Sequence, residues 1–259
     1  MSGIRVEAIY IAPVKSLGLQ RVERVQLGPD GIAGDRRFLL VDERGKLFTQ
    51  REHGALTQVK ATYTGEREHL SVEFPGGEVA EGAVRAGAPV TVNFFGQEDV
   101  AALSLDGPWD AAFSRFVGAP LRLVRAASTA FDMLPVSMLS AASVAELQRH
   151  MPETRIDERR FRPNFYITGT EAHGEDAWVG RRVRIGGAVV LVRMRDERCV
   201  MTTHNPDSGE TDANTLKVIA SYRLDQPKEV NFGVYGTVAE PGAVAVGDKV
   251  APVDEAVPA

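Results

Sequence analysis

The chain has 259 residues, 44% of them hydrophobic and 25% charged, with a formal net charge of −5, which is typical of a globular protein with one large domain or two small ones. The acidic balance argues against a general binder of nucleic acid or of a membrane surface. No secretory signal is present, no apolar run approaches the roughly 20 residues that span a bilayer, and a single cysteine excludes an internal disulfide, so we expect a cytoplasmic protein.

Strands dominate the predicted secondary structure. Short apolar or alternating runs predict strands at 4–11, 38–42, 47–49, 90–95, 121–124, 164–168, 232–238 and 243–246. Residues 182–193 predict a hairpin that turns at Gly186-Gly187. Helices are predicted from Pro108 to Gly118, after a capping box from Ser143 to Glu146, and over 214–222. This pattern indicates a mainly β (α+β) fold with few helices, a barrel or a sandwich, with a boundary near 104–120.

The single cysteine, Cys199, lies in a polar sequence, after Asp196-Glu197-Arg198 and before Thr202-Thr203. A structural cysteine usually lies among apolar neighbours, and a buried inert thiol is the alternative here. Arg198 favours the thiolate, which attacks electrophiles and binds soft metals. One thiolate cannot complete a tetrahedral zinc site. Three roles stay open: a nucleophile, a redox thiol, or the one protein ligand of a metal whose other ligands come from an organic cofactor.

Arginine is enriched on the N-terminal side of this cysteine. From Arg155 to Arg198 the chain has ten arginines, no lysine and seven acidic residues. The planar fork of arginine suits a phosphate or a carboxylate, and the alternative is a set of solvated strand faces. Arg162 precedes Pro163, so we expect extended backbone there and a side chain placed to hold an anion, with the amide of Asn164 close by.

Several segments together resemble the MOSC-domain proteins that carry an N-terminal β-barrel domain, of the type of the mitochondrial amidoxime-reducing component and its bacterial relatives. The segments are Pro13-Val14-Lys15-Ser16, Gly34-Asp35-Arg36-Arg37-Phe38, Phe161-Arg162-Pro163-Asn164, Arg198-Cys199-Val200-Met201-Thr202-Thr203 and Phe232-Gly233-Val234-Tyr235. The resemblance implies a MOSC-associated strand-rich domain over 1–115 and a MOSC β-barrel domain over 116–259, with residues 1–37 packing with the second. The chain departs from the family at Met133-Leu134, where the family has Thr-Ser before a proline.

The resemblance also implies a site. Cys199 is expected to ligate the molybdenum of a molybdenum cofactor (Mo-molybdopterin). The residues expected to hold or line that cofactor are Lys15, Ser16, Arg37, Arg162, Asn164, Arg198 and Tyr235. The implied activity is the reduction of small N-hydroxylated compounds, such as amidoximes and hydroxylamines, by oxygen-atom abstraction at the cysteine-ligated metal. Electrons are expected from a separate ferredoxin-, flavin- or cytochrome-type protein. A carrier of the cofactor or of sulfur, and a small-molecule binder with a degenerate site, remain alternatives.

Overall fold

The computed structural model describes residues 3–96, 98–127, 130–224 and 229–253, and these residues form nineteen strands and three α-helices. The strands are β1 (Arg5–Ile11), β2 (Gln20–Val22), β3 (Arg24–Gly28), β4 (Gly31–Ile32), β5 (Phe38–Asp42), β6 (Leu47–Phe48), β7 (Lys60–Thr64), β8 (His69–Glu73), β9 (Val79–Ala83), β10 (Ala86–Phe94), β11 (Glu98–Leu105), β12 (Leu121–Ala126), β13 (Val136–Ser140), β14 (Phe165–Thr168), β15 (Arg182–Ile185), β16 (Ala188–Glu197), β17 (Asn231–Glu240), β18 (Gly242–Ala245) and β19 (Val250–Pro252). The helices are α1 (Trp109–Val117), α2 (Ala141–His150) and α3 (Thr215–Tyr222). The predicted mainly β fold class with few helices is confirmed.

The largest sheet has eight strands in the order β19-β15-β16-β17-β13-β14-β1-β2. Its first strand in the chain, β1, pairs antiparallel with β14, so that Ile9 lies opposite Phe165. Both side chains are fully buried, and β1 alternates between buried and exposed residues over its first half. The alternation fixes the register, because a slip by one residue would turn the apolar side chains to solvent. The pairing places the residues that follow β1 beside those that precede β14.

The ends of this sheet approach each other at one point. Backbone N–H groups of Val6 and Val250 donate to Asp248 O and Ile4 O, each at 2.9 Å, around an isolated bridge between Arg5 and Lys249. Among the described strands, however, the pairings do not close into a ring. The predicted β-barrel is therefore corrected, among the described strands, to an open sheet whose edge strands are β2 and β19.

A second group of strands comes from the first half of the chain. The five-stranded sheet β10-β11-β12-β5-β6 and the three-stranded sheet β7-β8-β9 share an apolar core with α1, in which Phe38, Trp109 and Phe113 are fully buried. As predicted, α1 follows Pro108 and stops at Gly118, which adopts the left-handed conformation that glycine tolerates. A fourth sheet, β18-β3-β4, pairs the start of the chain with its end.

Helices α2 and α3 pack through Leu147, Ile219 and Phe232. The predicted capping box that begins at Ser143 is wrong. The helix begins earlier, because Ser140 is the N-cap and its Oγ accepts a hydrogen bond from Ser143 N at 3.2 Å. In the part of the chain that the structure describes, no helix has the length and apolar character needed to cross a membrane.

Candidate cofactor site

Cys199 lies just after β16 and is the N-cap of a single 3-10 turn, Val200–Thr203. Its thiol is exposed, so the alternative of a buried inert cysteine is wrong. The Sγ atom accepts a hydrogen bond from Arg51 Nη2 at 3.3 Å. Arg51 follows β6 in the first half of the chain, so the environment of the thiol is built from both halves.

The loop that follows Cys199 is docked closely on the first half. Gln58 Nε2 donates a hydrogen bond to Ser208 O at 2.9 Å. A Cβ atom on Gly54 would lie 2.1 Å from Gly209 O, and a Cβ on Gly209 would lie equally close to Gly54 O. Only glycine allows two backbones to approach this closely. This contact keeps the segment of Arg51 against the segment of the thiol.

Lys15, which the sequence predicts as a phosphate ligand, is 5% exposed. Its Nζ donates to Ala130 O at 2.8 Å and pairs with Asp132 Oδ1 at 2.8 Å. Burial lowers the pKa of Lys15, although Asp132 opposes this, and the charges of Arg36 and Arg162 lower it further. The neighbouring Ser16 is also buried and has a left-handed backbone with φ of 73°. A buried lysine that is repelled by two guanidinium groups favours an anion beside it.

Arg36, and not the predicted Arg37, belongs to this group. The Arg36 guanidinium pairs with Asp35 and donates from Nη2 to Arg162 O at 3.3 Å. The charge of Arg37 acts instead on Tyr63, in the first-half core. Arg36 lies in a turn with a left-handed backbone, with φ of 47°, and Arg37 follows that turn just before β5. The sequence contained a signal, since Asp35-Arg36 can form a local ion pair, but it did not tell which arginine faces the site.

Asn164, which the sequence predicts to line the site, is buried, and its side chain binds neighbouring protein groups. Its Nδ2 donates to Asp35 Oδ2 at 2.9 Å, and its Oδ1 accepts from Ser137 N at 3.1 Å. Asp35 Oδ1 in turn accepts from Ala12 N at 2.7 Å. All polar atoms of the Asn164 side chain are therefore engaged within the protein. Asn164 positions Asp35, which positions Arg36.

Arg162 contradicts one expectation drawn from its sequence. It precedes Pro163, but its backbone is left-handed, with φ of 50°, because it ends the 3-10 turn Glu158–Phe161. Its Nη2 donates to Leu17 O at 2.9 Å, and burial lowers the pKa of Arg162 to about 10, with a further contribution from Arg36. Left-handed backbone in a bulky residue persists where the surroundings enforce it, commonly at functional sites. We call Lys15, Arg36 and Arg162 the cation cluster.

The guanidinium of Arg198 binds groups within the protein. Its Nε and Nη1 donate to Phe232 O at 2.7 Å and to Phe161 O at 2.8 Å, and its Nη2 lies 2.6 Å from Asp196 Oδ2. Burial raises the pKa of Asp196 to about 7 although Arg198 opposes the rise. Burial and the Asp196 charge also raise the pKa of Tyr235 well above its ordinary range, so its hydroxyl stays protonated. Arg198 thus fixes the base of the cysteine turn.

Half of the ten arginines of the enriched segment pair with acidic residues outside the cation cluster. Arg182 and Arg184 pair with Glu240, and Arg195 lies 3.4 Å from Asp176. Arg159 and Arg160 pair with acidic residues of the loop after Cys199, Asp207 and Asp212. Arg182, Arg184 and Arg195 lie on strands, as the alternative of solvated strand faces expects, whereas Arg159 and Arg160 lie in a 3-10 turn and Arg160 is buried. The enrichment as such does not mark the site.

Two further features border the cation cluster. A cavity of about 290 Å³ lies between the two halves of the chain, and Arg162, Gln50 and Met201 are among its lining residues. Cys199 does not line it, so this cavity adjoins the thiol site and does not contain it. On the other side, Met133 is 59% exposed, next to the Asp132 that pairs with Lys15. The departure from the family at Met133 therefore lies at the exposed border of the cluster.

The residues fit an anionic organic group that carries a soft metal. In the cation cluster, Lys15 is buried, Arg36 and Arg162 are partly buried, and the three charges repel one another close to Asp132, while the thiol is exposed beside Arg51. Among the described residues, no group of three or more His, Cys, Asp and Glu side chains is arranged to hold a metal ion. A metal that an organic group already ligates would need no such cluster and could bind the single thiolate of Cys199.

Comparison with known proteins identifies the class. The profile of the MOSC N-terminal beta barrel domain matches residues 3–120, and that of the MOSC domain matches residues 127–251. The chain belongs to the family of MOSC-domain proteins with this N-terminal domain, the family of the mitochondrial amidoxime-reducing components.

Three similar proteins illustrate the relationship. Mitochondrial amidoxime reducing component 2 of Bos taurus is 30% identical over 285 residues, covering 95% of this chain and 82% of that protein. Molybdenum cofactor sulfurase of Oryza sativa is 26% identical, covering 90% of this chain and 32% of that protein. The YUAD protein of Bacillus subtilis, a crystal structure, aligns over 96% of this chain and 94% of that one, with 18% identity and a TM-score of 0.45.

Proposed function

We propose that the protein is a molybdenum-cofactor-dependent reductase of N-hydroxylated compounds. The observation that carries the proposal is the exposed thiol of Cys199 beside a buried cation cluster, on a chain whose similar proteins are named for amidoxime reduction and for molybdenum cofactor sulfuration. These names support a function related to the molybdenum cofactor. The reduction itself, and the bond from Cys199 to the metal, belong to the proposal.

The side chains divide the work of holding the cofactor. Lys15 and Arg36 would hold its phosphate, with the Ser16 hydroxyl beside them, and Arg162 would face its pterin. The Cys199 thiolate would bind the metal as a soft ligand. Asn164 and Arg198 would support the site without binding the cofactor, because their donors already bind Asp35, Phe232 and Phe161. We also retain the division into 1–115 and 116–259 as a proposal, with the site built from both parts.

The reaction consumes two electrons and two protons for each N–O bond and yields an N–H group and water. When bound, the cofactor supplies the two-electron chemistry, with electrons delivered by a ferredoxin-, flavin- or cytochrome-type donor. The chain contributes charge and position. Tyr235 has a protonated hydroxyl at neutral pH, as tyrosine ordinarily does, and its raised pKa reflects burial and the charge of Asp196. Arg51 lies at the thiol, where the substrate would arrive.

The test is the full chain produced in a host that makes the molybdenum cofactor. We expect stoichiometric molybdenum and reduction of benzamidoxime with reduced methyl viologen as donor. Cys199→Ser is expected to abolish turnover, whereas Arg24→Gln, an exposed position on β3, is the matched control and keeps it. A molybdenum-loaded protein that is inert toward amidoximes, hydroxylamines and N-oxides alike would remove the reductase proposal.

A second candidate is a carrier of the cofactor or of sulfur, favoured by the exposure of Cys199 and by the similarity to a molybdenum cofactor sulfurase. Mass spectrometry distinguishes it, since a persulfide adds the mass of one sulfur atom to Cys199. Transfer of the bound cofactor to an acceptor apoprotein supports a carrier. Retention of the cofactor through many turnovers supports the enzyme.

A further inference from the structure

Two adjacent phenylalanines contact the cationic side chains of Lys15 and Arg51 at the site. Phe94 ends β10, and Phe95 follows it in the turn toward β11. Their ring centroids lie 4.9 Å apart in an edge-to-face arrangement. The guanidinium carbon of Arg51 lies 4.6 Å from the Phe95 centroid, and Lys15 Nζ lies 4.9 Å from the Phe94 centroid. The two phenylalanine rings therefore make cation–π contacts with both Lys15, which is buried, and Arg51, which lies at the thiol.

Phe95 adopts a conformation that is unfavourable for its type. Its φ is 56°, in the left-handed region where a bulky residue is strained and glycine is not. Gly96, the next residue, has φ of 74° and continues the turn. The backbone alone would accept glycine at position 95 more readily. The aromatic ring packs against the apolar cluster of β5, β10 and β12 and contacts Arg51.

The Arg51 guanidinium keeps donors available for a ligand. Nη2 donates to Cys199 Sγ, and the face of the group rests on Phe95. Within the described part of the chain, Nε and Nη1 make no hydrogen bond and no carboxylate lies within ion-pair distance. The charge of Arg51 acts on Asp132, which is already paired with Lys15. An exposed, oriented guanidinium beside the sulfur suits two-point binding of a carboxylate.

We propose that Arg51, held in place by Phe95, is a specificity-determining residue that favours substrates with a carboxylate near the reacting N–O group. The inference rests on the proposed function and names its substrate class. Phe95 is a positioning residue, because it acts through Arg51. The stacked ring keeps the guanidinium from turning away from Cys199, so its remaining N–H groups face the approach to the sulfur.

One test uses the cofactor-free protein and is independent of turnover. The Cys199 thiol is allowed to react with an anionic disulfide, 5,5′-dithiobis(2-nitrobenzoate), and with the neutral 2,2′-dithiodipyridine. Both reagents require the same thiolate, so the ratio of their rates reports the local charge and not the thiolate fraction. We expect Arg51→Gln to lower the anionic-to-neutral ratio about fivefold at low salt. Arg24→Gln is the matched control and leaves the ratio unchanged.

Two further variants distinguish the charge of Arg51 from its position and from an effect on folding. Arg51→Lys keeps the charge and is expected to retain most of the reagent ratio. Phe95→Gly removes the ring and relieves the left-handed backbone, so the variant folds while the ratio falls toward that of Arg51→Gln. An unchanged ratio in both Arg51→Gln and Phe95→Gly would overturn the proposed role of this pair.

A second test uses the molybdenum-loaded protein with benzamidoxime and its 3-carboxylate. We expect the wild type to prefer the carboxylate at least fivefold in kcat/KM, and Arg51→Gln to lose this preference. Equal kcat/KM for both substrates in the wild type overturns the specificity and leaves the proposed function standing. Reduction of neither substrate counts against the proposed function. Loss of molybdenum from Arg51→Gln would instead make Arg51 a cofactor ligand and overturn its role toward substrate.

Discussion

Asp35 is a buried carboxylate that pairs with Arg36 of the cation cluster. Its substitution tests whether this pair organises the cluster. The residue is 1% exposed. Its carboxylate accepts hydrogen bonds from Ala12 N at 2.7 Å and from Asn164 Nδ2 at 2.9 Å, and it pairs with Arg36. Three donors thus depend on one group, and one of the three is a charged side chain that is itself mostly buried.

The magnitude follows from these contacts. Asp35→Ala leaves the Arg36 charge without its partner, and removal of one member of a buried ion pair costs about 3–5 kcal/mol. Asp35→Asn keeps the shape and one acceptor oxygen for Ala12 N. It loses the charge and turns an amide donor toward Arg36 or Asn164, so we expect a loss of about 2–3 kcal/mol.

The assay is urea unfolding of the cofactor-free protein at pH 7, followed by circular dichroism. Asp35→Asn, Arg36→Gln and the double variant form a cycle, in which we expect a coupling free energy above about 1 kcal/mol. A cost for Asp35→Asn within about 0.5 kcal/mol of zero, or no coupling with Arg36, would refute the reasoning that this pair organises the cluster.

Three other predictions concern the packing, the charges and the titration of the site. Gly54→Ala places a Cβ 2.1 Å from a carbonyl oxygen of the opposite half, so urea unfolding should show a loss of about 1–3 kcal/mol, whereas Gly65→Ala, whose Cβ meets nothing nearer than 3.7 Å, is the control. Arg36→Gln should lower the molybdenum content of protein made in a cofactor-competent host, and Arg37→Gln should not; the reverse result would restore the assignment made from the sequence. Burial raises the pKa of Asp196 to about 7, above its unfolded value of about 3.9, so the folded chain holds the extra proton between these values and this group makes the protein less stable as the pH rises from about 4 to 7. Asp196→Asn should remove up to about 4 kcal/mol of that pH dependence in cofactor-free protein, and identical slopes for variant and wild type would contradict it.

The local sequence pattern predicted an element correctly where the interactions that form the element are local. The hairpin of β15 and β16 turns at Gly186-Gly187, as predicted, because its arms alternate or run apolar on both sides of two glycines. The beginning of α2 was missed because it depends on a distant residue. Buried Glu175 accepts hydrogen bonds from Ser140 N at 3.1 Å and from Ser143 Oγ at 2.9 Å. That contact places Ser143 inside the helix and leaves Ser140 as the N-cap.

The role of Arg51 lay beyond any local pattern. It contacts a sulfur that is 148 positions away along the chain, and its neighbours in the sequence, Gln50 and Glu52, resemble an ordinary polar turn. Likewise, the backbone of Arg162 is left-handed despite the proline that follows, because a 3-10 turn ends there and Leu17 O binds the side chain. Tertiary contacts override local preference where they supply several hydrogen bonds at once.

The sequence by itself determined the strand-rich class, the chemical character of the lone polar-flanked thiol, and the segments that carry the family resemblance, since composition, periodicity and short motifs are properties of the chain. The tertiary structure alone decided that the thiol is exposed, that Arg36 and not Arg37 joins Lys15, and that Arg51 reaches Cys199. Those outcomes depend on the backbone of turns and loops that lie outside the strands and on which distant segments pack together, and that packing is set by the burial of the whole core.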